Sequence, residues 1–180
     1  MDIENIEDSV LIKVRKIKLL LLDVDGVLTD GRIIYDSSGR DMKFFDVHDG
    51  MGVHLLHKSG IPTILITAKG SKAIKPRAED MQVDAVFENV SPKSAVLNGI
   101  LKKYKLNSGQ VCFVGDDLVD LGIMKKVGLP VAVANAAAEI KQIACYITLK
   151  PGGRGAVREV AELILKSQGK WEEVIRIYDK

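Results

Sequence analysis

Cysteine is scarce: the chain holds two, Cys112 in the run VCFV and Cys145 in IACYI. Two cysteines set in strand-like apolar runs read as buried thiols and exclude a disulfide framework. An excess of charge of one sign is also lacking. The 26 Lys and Arg nearly balance the 24 Asp and Glu, giving a net charge of +2 with acids and bases interspersed. That excludes a nucleic-acid stripe and a polybasic membrane patch. Long apolar runs are missing too, and none approaches the length of a membrane span. The opening MDIENIEDSV is acidic and lacks the charged-then-apolar order of a signal peptide. The expectation is a cytoplasmic protein. No repeat, low-complexity tract or internal linker interrupts the chain. Its 180 residues, 47% of them hydrophobic, suit one domain with a sizeable core.

What is present is organised around residues 18–31, KLLLLDVDGVLTDG. Leu19 to Leu22 form a short apolar run that reads as a strand buried on both faces, as in a parallel sheet. Asp23 and Asp25 stand at its end. Residues i and i+2 of a strand point the same way, so both carboxylates share one face. Gly26 lets the chain turn sharply. In open α/β sheets the ligand sits outside the carboxyl ends of the strands. Two acids there make a hard, oxygen-rich site suited to Mg²⁺, and one acid can serve as nucleophile and the other as general acid/base. The plainer reading is a turn in which both Asp side chains cap backbone amides.

The rest of the chain alternates strand and helix signals. Residues 2–16 read as a short helix or loose arm. Residues 32–35 and 41–47 alternate apolar and polar around the turn DSSG, which predicts a β-hairpin inserted after the first strand. Its apolar residues Ile33, Ile34, Phe44 and Phe45 need cover, from a partner subunit or from their own domain. A helix closed by Gly60 follows, then a strand over 61–66 ending in Thr67. Helical composition over 71–81 contains Pro76, which must kink the helix or begin its regular part. A short strand at 84–87 precedes a helix opened by Ser91-Pro92 and running to Tyr104, with Lys93 in its first turn. The strand at 111–114 ends in GDDLVD, so Asp116, Asp117 and Asp120 sit near the next helix start. Strands at 129–134 and 145–148, the loop LKPGGRG, the helix AVREVAELILKSQ and a last amphipathic helix complete the chain. The pattern is α/β: a Rossmann-like three-layer sandwich around a mostly parallel sheet. The hairpin insert spans 31–47 and the C-terminal loop and helices 150–180, and there is no large cap domain.

Taken singly, a lysine in a first helical turn is usually solvated, and GDD is a fair turn signal. Together, carboxylates for Mg²⁺, a hydroxyl and an ammonium for a phosphoryl group, and an Asp to attack phosphorus specify phosphoryl transfer. The order of these motifs resembles the haloacid dehalogenase superfamily of phosphatases: DVDGVLT matches its first motif, and Thr67, Lys93 and GDDLVD its second, third and fourth. Over about residues 17–172 the chain is similar to the 3-deoxy-D-manno-octulosonate 8-phosphate phosphatase family, most specifically in FFDVHDGMG, GDDLVDLGIMKKVGLPVAVANA and GGRGAVRE.

The resemblance implies a Mg²⁺-dependent phosphomonoesterase of lipopolysaccharide precursor synthesis, acting through an aspartyl-phosphate. By it, Asp23 is the nucleophile and a metal ligand. Asp25 is the general acid/base and binds the metal through its backbone carbonyl, and Asp116 is the third ligand. Thr67 and Lys93 hold the phosphoryl oxygens. Asp46, Val47, His48, Asp49, Gly50, His54, Lys69 and Arg77 fall where the family contacts substrate, with Asp25 and Lys93. Asp117 and Asp120 orient Lys93 and metal-bound waters. The family also implies a homotetramer in which Arg154 of the glycine-rich loop approaches substrate and Arg158 is structural.

The chain departs from the family in four places. It has Thr67-Ala68-Lys69 where Thr-Gly-Arg is usual, His48 where Arg or Lys is usual, His54 where Arg is frequent, and Asn89 where Gly is usual. Lys is not equivalent to Arg at a bidentate carboxylate site. A nine-carbon keto-acid sugar phosphate is therefore the rival substrate. A receiver-like signalling module shares the residue types, but its paired acids come first and its phosphorylated Asp lies on a middle strand. A non-catalytic relative serving in oligomerisation would have lost Asp23 or Asp25, and both are present.

Overall fold

The computed structural model describes residues 6–179. In chain order it contains α1 (Asp8–Val14), β1 (Leu19–Leu22), β2 (Ile34–Tyr35), β3 (Asp41–Met42), α2 (Val47–Lys58), β4 (Thr63–Ile66), α3 (Ile74–Met81) and β5 (Ala85–Phe87). There follow α4 (Leu97–Tyr104), β6 (Val111–Gly115), α5 (Leu121–Met124), β7 (Leu129–Ala132), α6 (Ala138–Ile143), β8 (Tyr146–Ile147), α7 (Ala156–Ser167) and α8 (Trp171–Ile175). The part of the N-terminal arm before residue 6 lies outside the described residues.

Six strands form one parallel sheet in the order β5-β4-β1-β6-β7-β8. Every residue of β1, β4, β6 and β7 is buried, as continuous apolar runs require when helices cover both faces. From β1 the chain proceeds outward through β4 and β5, then returns to lay β6 on the other side of β1. The order therefore reverses beside β1, and a crevice opens at the carboxyl ends there. Helices α1, α2, α3, α7 and α8 pack on one another in one layer, and α5 and α6 lie against β6 and β7. The core runs continuously through the sheet and both layers.

Local chemistry set several boundaries that differ from the sequence expectation. The hairpin ladder is short, pairing only Ile34 with Met42 and Tyr35 with Asp41. Its turn is fixed by Asp36, whose carboxylate accepts the Ser38 and Arg40 backbone N–H groups at 2.8 and 3.0 Å. Beyond Met42 the strand ends because Lys43 turns in toward Asp25 and Asp46 caps α2. Helix α3 begins at Ile74, which leaves Pro76 in the first turn, where backbone N–H groups have no intrahelical partner. The helix expected from Pro92 is a 3₁₀ turn at Lys93–Val96 followed by α4. The last helix is likewise split into α8 and a 3₁₀ turn at Arg176–Tyr178. Helix α6 lies where the sequence reading assigned no element, although AAAEIKQI is rich in helix formers. Cys112 is fully buried, but Cys145 is only half-buried, and the Lys13 ammonium donates to its sulfur at 2.9 Å. Among the described residues, no helix is long and apolar enough to cross a membrane.

Candidate active site

The carboxyl end of β1 delivers Asp23, 4% exposed, directly from the buried leucines. The chain then turns through Asp25 and Gly26. Gly26 has φ +94°, and a Cβ there would collide with the Asp116 carboxylate, so only glycine fits. Thr29 closes the turn by accepting the Gly26 and Gly31 backbone N–H groups at 3.1 and 3.3 Å. The loop before α7 is seated on this turn. The Gly153 N–H donates to the Val27 carbonyl at 2.8 Å, and a Cβ on Gly152 would strike the Gly26 carbonyl. Gly152 and Gly153 are thus explained by backbone lying on backbone at the first motif.

Lys93, 2% exposed, reaches across beneath Asp23. Its ammonium lies 2.5 Å from Asp23 Oδ1 and 2.7 Å from Asp120 Oδ1. Burial alone would depress the Lys93 pKa, but Asp23 and Asp120 outweigh it and hold the ammonium charged. The second Asp120 oxygen accepts the Asp116 N–H at 3.0 Å, so both its oxygens are engaged. Asp116 differs: its Oδ1 is buried without a hydrogen-bond partner. Burial, then the charge of Asp120, pushes the Asp23 carboxyl up, and burial, then Asp23, pushes Asp116 up. Carboxylate oxygens of Asp23, Asp116 and Asp120 come within 4.8 Å of one another. Three clustered acids, one of which keeps an orphaned buried oxygen, make a donor set suited to a hard divalent cation, with Asp23 and Asp116 offering the oxygens.

At the end of β4, Thr67 is buried, and its hydroxyl donates to the Lys69 carbonyl at 3.0 Å while accepting the Lys69 N–H at 3.2 Å. Asp117 accepts the Leu118 N–H at 2.7 Å. Asp23, Asp25, Thr67, Lys69, Lys93, Asp116 and Asp117 line one cavity of about 300 Å³, with Ile34, Asp41 and Lys43 of the hairpin on its far wall. The Lys69 ammonium donates to the Tyr35 hydroxyl at 3.1 Å and so tethers the second motif to the hairpin.

The other expected substrate residues lie elsewhere in the single chain. Asp46 caps α2, accepting the His48 N–H at 2.7 Å, and Val47 and His48 are exposed. Asp49 is fully buried and turned toward α7. Val47, Gly50, His54 and Arg77 line a second pocket with Met51 and Tyr178. There Arg77 donates to the Asp46 carbonyl at 2.7 Å and lies 5.6 Å from the Phe45 ring centroid. Partial burial depresses the His54 pKa. Arg154 is exposed and lies 3.4 Å from Asp30.

Sequence reasoning passed over Asp41 and Lys43. The signal was available: in DMKFF the two charged residues fall on one face of an alternating strand, opposite Met42 and Phe44.

Residues 74–159 match the haloacid dehalogenase-like hydrolase family. The 3-deoxy-D-manno-octulosonate 8-phosphate phosphatase KdsC of Escherichia coli K12 is 41% identical over 165 residues, covering 92% of this chain and 88% of that protein. The phosphatase of the same name from Moraxella catarrhalis, solved with magnesium, phosphate and KDO, superposes with a TM-score of 0.92 at 37% identity, over 95% of this chain and 98% of that one. A cobalt-bound deoxy-D-mannose-octulosonate 8-phosphate phosphatase from Haemophilus influenzae gives 0.84 at 34% identity, over 88% and 92%.

Proposed function

The chain belongs to the 3-deoxy-D-manno-octulosonate 8-phosphate phosphatases, a family of haloacid dehalogenase-like hydrolases, and on that premise we propose which of its residues do the work. It is a Mg²⁺-dependent phosphomonoesterase that converts 3-deoxy-D-manno-octulosonate 8-phosphate to the free sugar acid and phosphate. Asp23, Asp116 and the Asp25 backbone carbonyl hold Mg²⁺, which when bound neutralises charge on the phosphoryl oxygens and the surrounding acids. Thr67 and Lys93 bind the phosphoryl group. An Asp23 carboxylate oxygen attacks phosphorus, the bond to the sugar oxygen breaks, and Asp25 gives that oxygen its proton. Asp25 then takes a proton from water, the water oxygen attacks phosphorus, and the bond to Asp23 breaks to release phosphate. Asp120 keeps Lys93 aimed at Asp23, and Asp117 shapes the loop.

The observation that carries this reading is Lys93 spanning Asp23 and Asp120 beside the unpartnered oxygen of Asp116. Rapid quench during turnover, followed by borohydride reduction, converts an aspartyl-phosphate to homoserine. Homoserine at position 23, absent in a folded Asp23→Asn variant, is expected. Reduction at another Asp, or none, overturns the assignment.

The described residues form a single domain, supported by one six-stranded sheet and one continuous core. The enzyme is cytoplasmic, and it works as a homotetramer. Support for assembly comes from the hairpin, where Ile33, Tyr35, Met42 and Phe44 are exposed together with Val47. A neighbour at this surface brings its own cations, Arg154 among them, toward the open cavity. His48, His54, Lys69 and Arg77 complete the reading of the sugar acid. The nine-carbon homologue is the second reading, carried by Lys69 hydrogen-bonded to Tyr35 where the family has arginine. Relative kcat/KM on the two sugar phosphates decides between them.

A further inference from the structure

Lysine is almost never buried without a partner. The Lys43 side chain is nonetheless 8% exposed, and its ammonium contacts Asp25 Oδ1. A second acid, Asp41 of β3, stands two residues earlier in the chain. Its Oδ2 is 3.9 Å from the ammonium and buried without a hydrogen bond. Of the two acids available, Lys43 therefore engages the more distant in sequence, which belongs to the first motif. Asp25 remains 38% exposed, open to the cavity that Lys43 also lines. A partly buried pair of this kind is weak evidence for stability, because desolvation offsets its attraction. Its effect is geometric, since one carboxylate oxygen is held while the residue stays open to the cavity.

We propose that Lys43 is a positioning residue for phosphoryl transfer. By holding Asp25 Oδ1 it presents Oδ2 to the leaving oxygen, and so the hairpin insert takes part in the chemistry as well as in any assembly. This rests on the reading of Asp25 as the proton donor. A positioned proton donor matters in proportion to the basicity of the leaving group. Nitrophenolate departs without a proton, whereas a methoxyphenolate, like a sugar alkoxide, departs poorly without one.

The test measures kcat/KM of the Mg²⁺-loaded full chain on 4-nitrophenyl, phenyl and 4-methoxyphenyl phosphates, substrates of nearly constant shape. The variants are Lys43→Met, Lys43→Arg, Asp25→Asn and the double variant Lys43→Met/Asp25→Asn. Lys43→Gln takes the place of Lys43→Met if the latter does not fold. A positioned acid or base is worth about 10²–10⁴-fold, and Lys43→Met should forfeit at least about tenfold of that on the methoxyphenyl ester. It should lose little on the nitrophenyl ester. Lys43→Arg should recover part of the difference, and the double variant should be no worse than Asp25→Asn. Equal losses on all three esters would mean that Lys43 only braces the fold, and would overturn the proposal. If Asp25→Asn shows the leaving-group dependence and Lys43→Met does not, the proposal alone fails. If neither shows it, the role of Asp25 fails and takes the proposal with it.

Discussion

Asp49 and Arg158 are 109 positions apart, yet an Asp49 carboxylate oxygen accepts the Arg158 backbone N–H at 2.9 Å. The other oxygen accepts the Gly155 N–H at 3.2 Å. Gly155 stands at the N-cap of α7 and has no side chain to cap with, so Asp49 supplies the cap from α2. Because the side chain is fully buried, its removal strands these donors away from water. Asp49→Ala should cost ~1–3 kcal/mol. It should appear as a lower urea midpoint at unchanged slope, while Asp49→Asn, which keeps an acceptor, costs less. An unaltered midpoint with a raised KM would instead make Asp49 a substrate contact.

Lys93 is the buried counter-charge for Asp23 and Asp120. Breaking a buried pair typically costs ~3–5 kcal/mol, because the surviving charge is left uncompensated. Lys93→Met should therefore be inactive and strongly destabilised without metal. Mg²⁺ should restore part of the lost stability by taking over the neutralising charge. Thermal melts with and without Mg²⁺ check this: the rise in Tm must be larger in the variant than in the parent.

Removing the metal should have a matching signature. Ligand binding stabilises the folded state by mass action, ~2.7 kcal/mol at a hundredfold excess over Kd. EDTA should abolish turnover and lower Tm. Asp116→Asn, which weakens the oxygen ligand that has no other partner, should lose the Tm response to Mg²⁺. Asp25→Asn should keep it, because its contact is assigned to the backbone. A retained response in Asp116→Asn would sink the ligand assignment.

Lys69 tests substrate reading separately from chemistry. It lines the cavity and bonds to Tyr35 rather than to any of the acids around Asp23. Lys69→Ala should raise KM for the keto-acid sugar phosphate more than for p-nitrophenyl phosphate. Equal effects on both would leave Lys69 no part in recognising the sugar.

What the sequence made legible was local. Leu19–Leu22 read as a doubly buried strand because continuous apolar runs have few other uses, and the structure buries all four. Asp23 and Asp25 were legible from strand-end spacing, and the six-strand sheet from the alternation of periods. The features that stayed hidden rest on distant partners. Asp49 looks like a first-turn acid until α7 arrives to be capped. Lys93 was singled out with Asp120 through the order of the motifs, but its burial between Asp120 and Asp23 shows only in the fold. Lys43 looks like an ordinary hairpin charge until the hairpin folds back over Asp25. The 3₁₀ turns at Lys93–Val96 and Leu118–Asp120 escaped for another reason: they form where functional side chains must be aimed, and helical composition carries no sign of that.

The hairpin offers the test of assembly. Ile33 is 72% exposed and Phe44 59%, and these two side chains lie outside the two-residue ladder. An apolar strand edge left in water invites pairing with another chain. Replacing both, Ile33→Asp with Phe44→Asp, should lower the mass measured by light scattering from that of a tetramer. Asp23, Thr67, Lys93 and Asp116 all come from one chain, so the dissociated enzyme should retain turnover of p-nitrophenyl phosphate. It should lose kcat/KM on the sugar phosphate, because the neighbour's cations no longer reach the cavity. Arg154→Ala, whose exposed side chain meets only Asp30 within its own chain among the described residues, should reproduce the sugar-specific loss without changing the mass. A parent enzyme that is monomeric and fully active at assay concentration would overturn this account, as would an Arg154→Ala variant with unchanged kcat/KM.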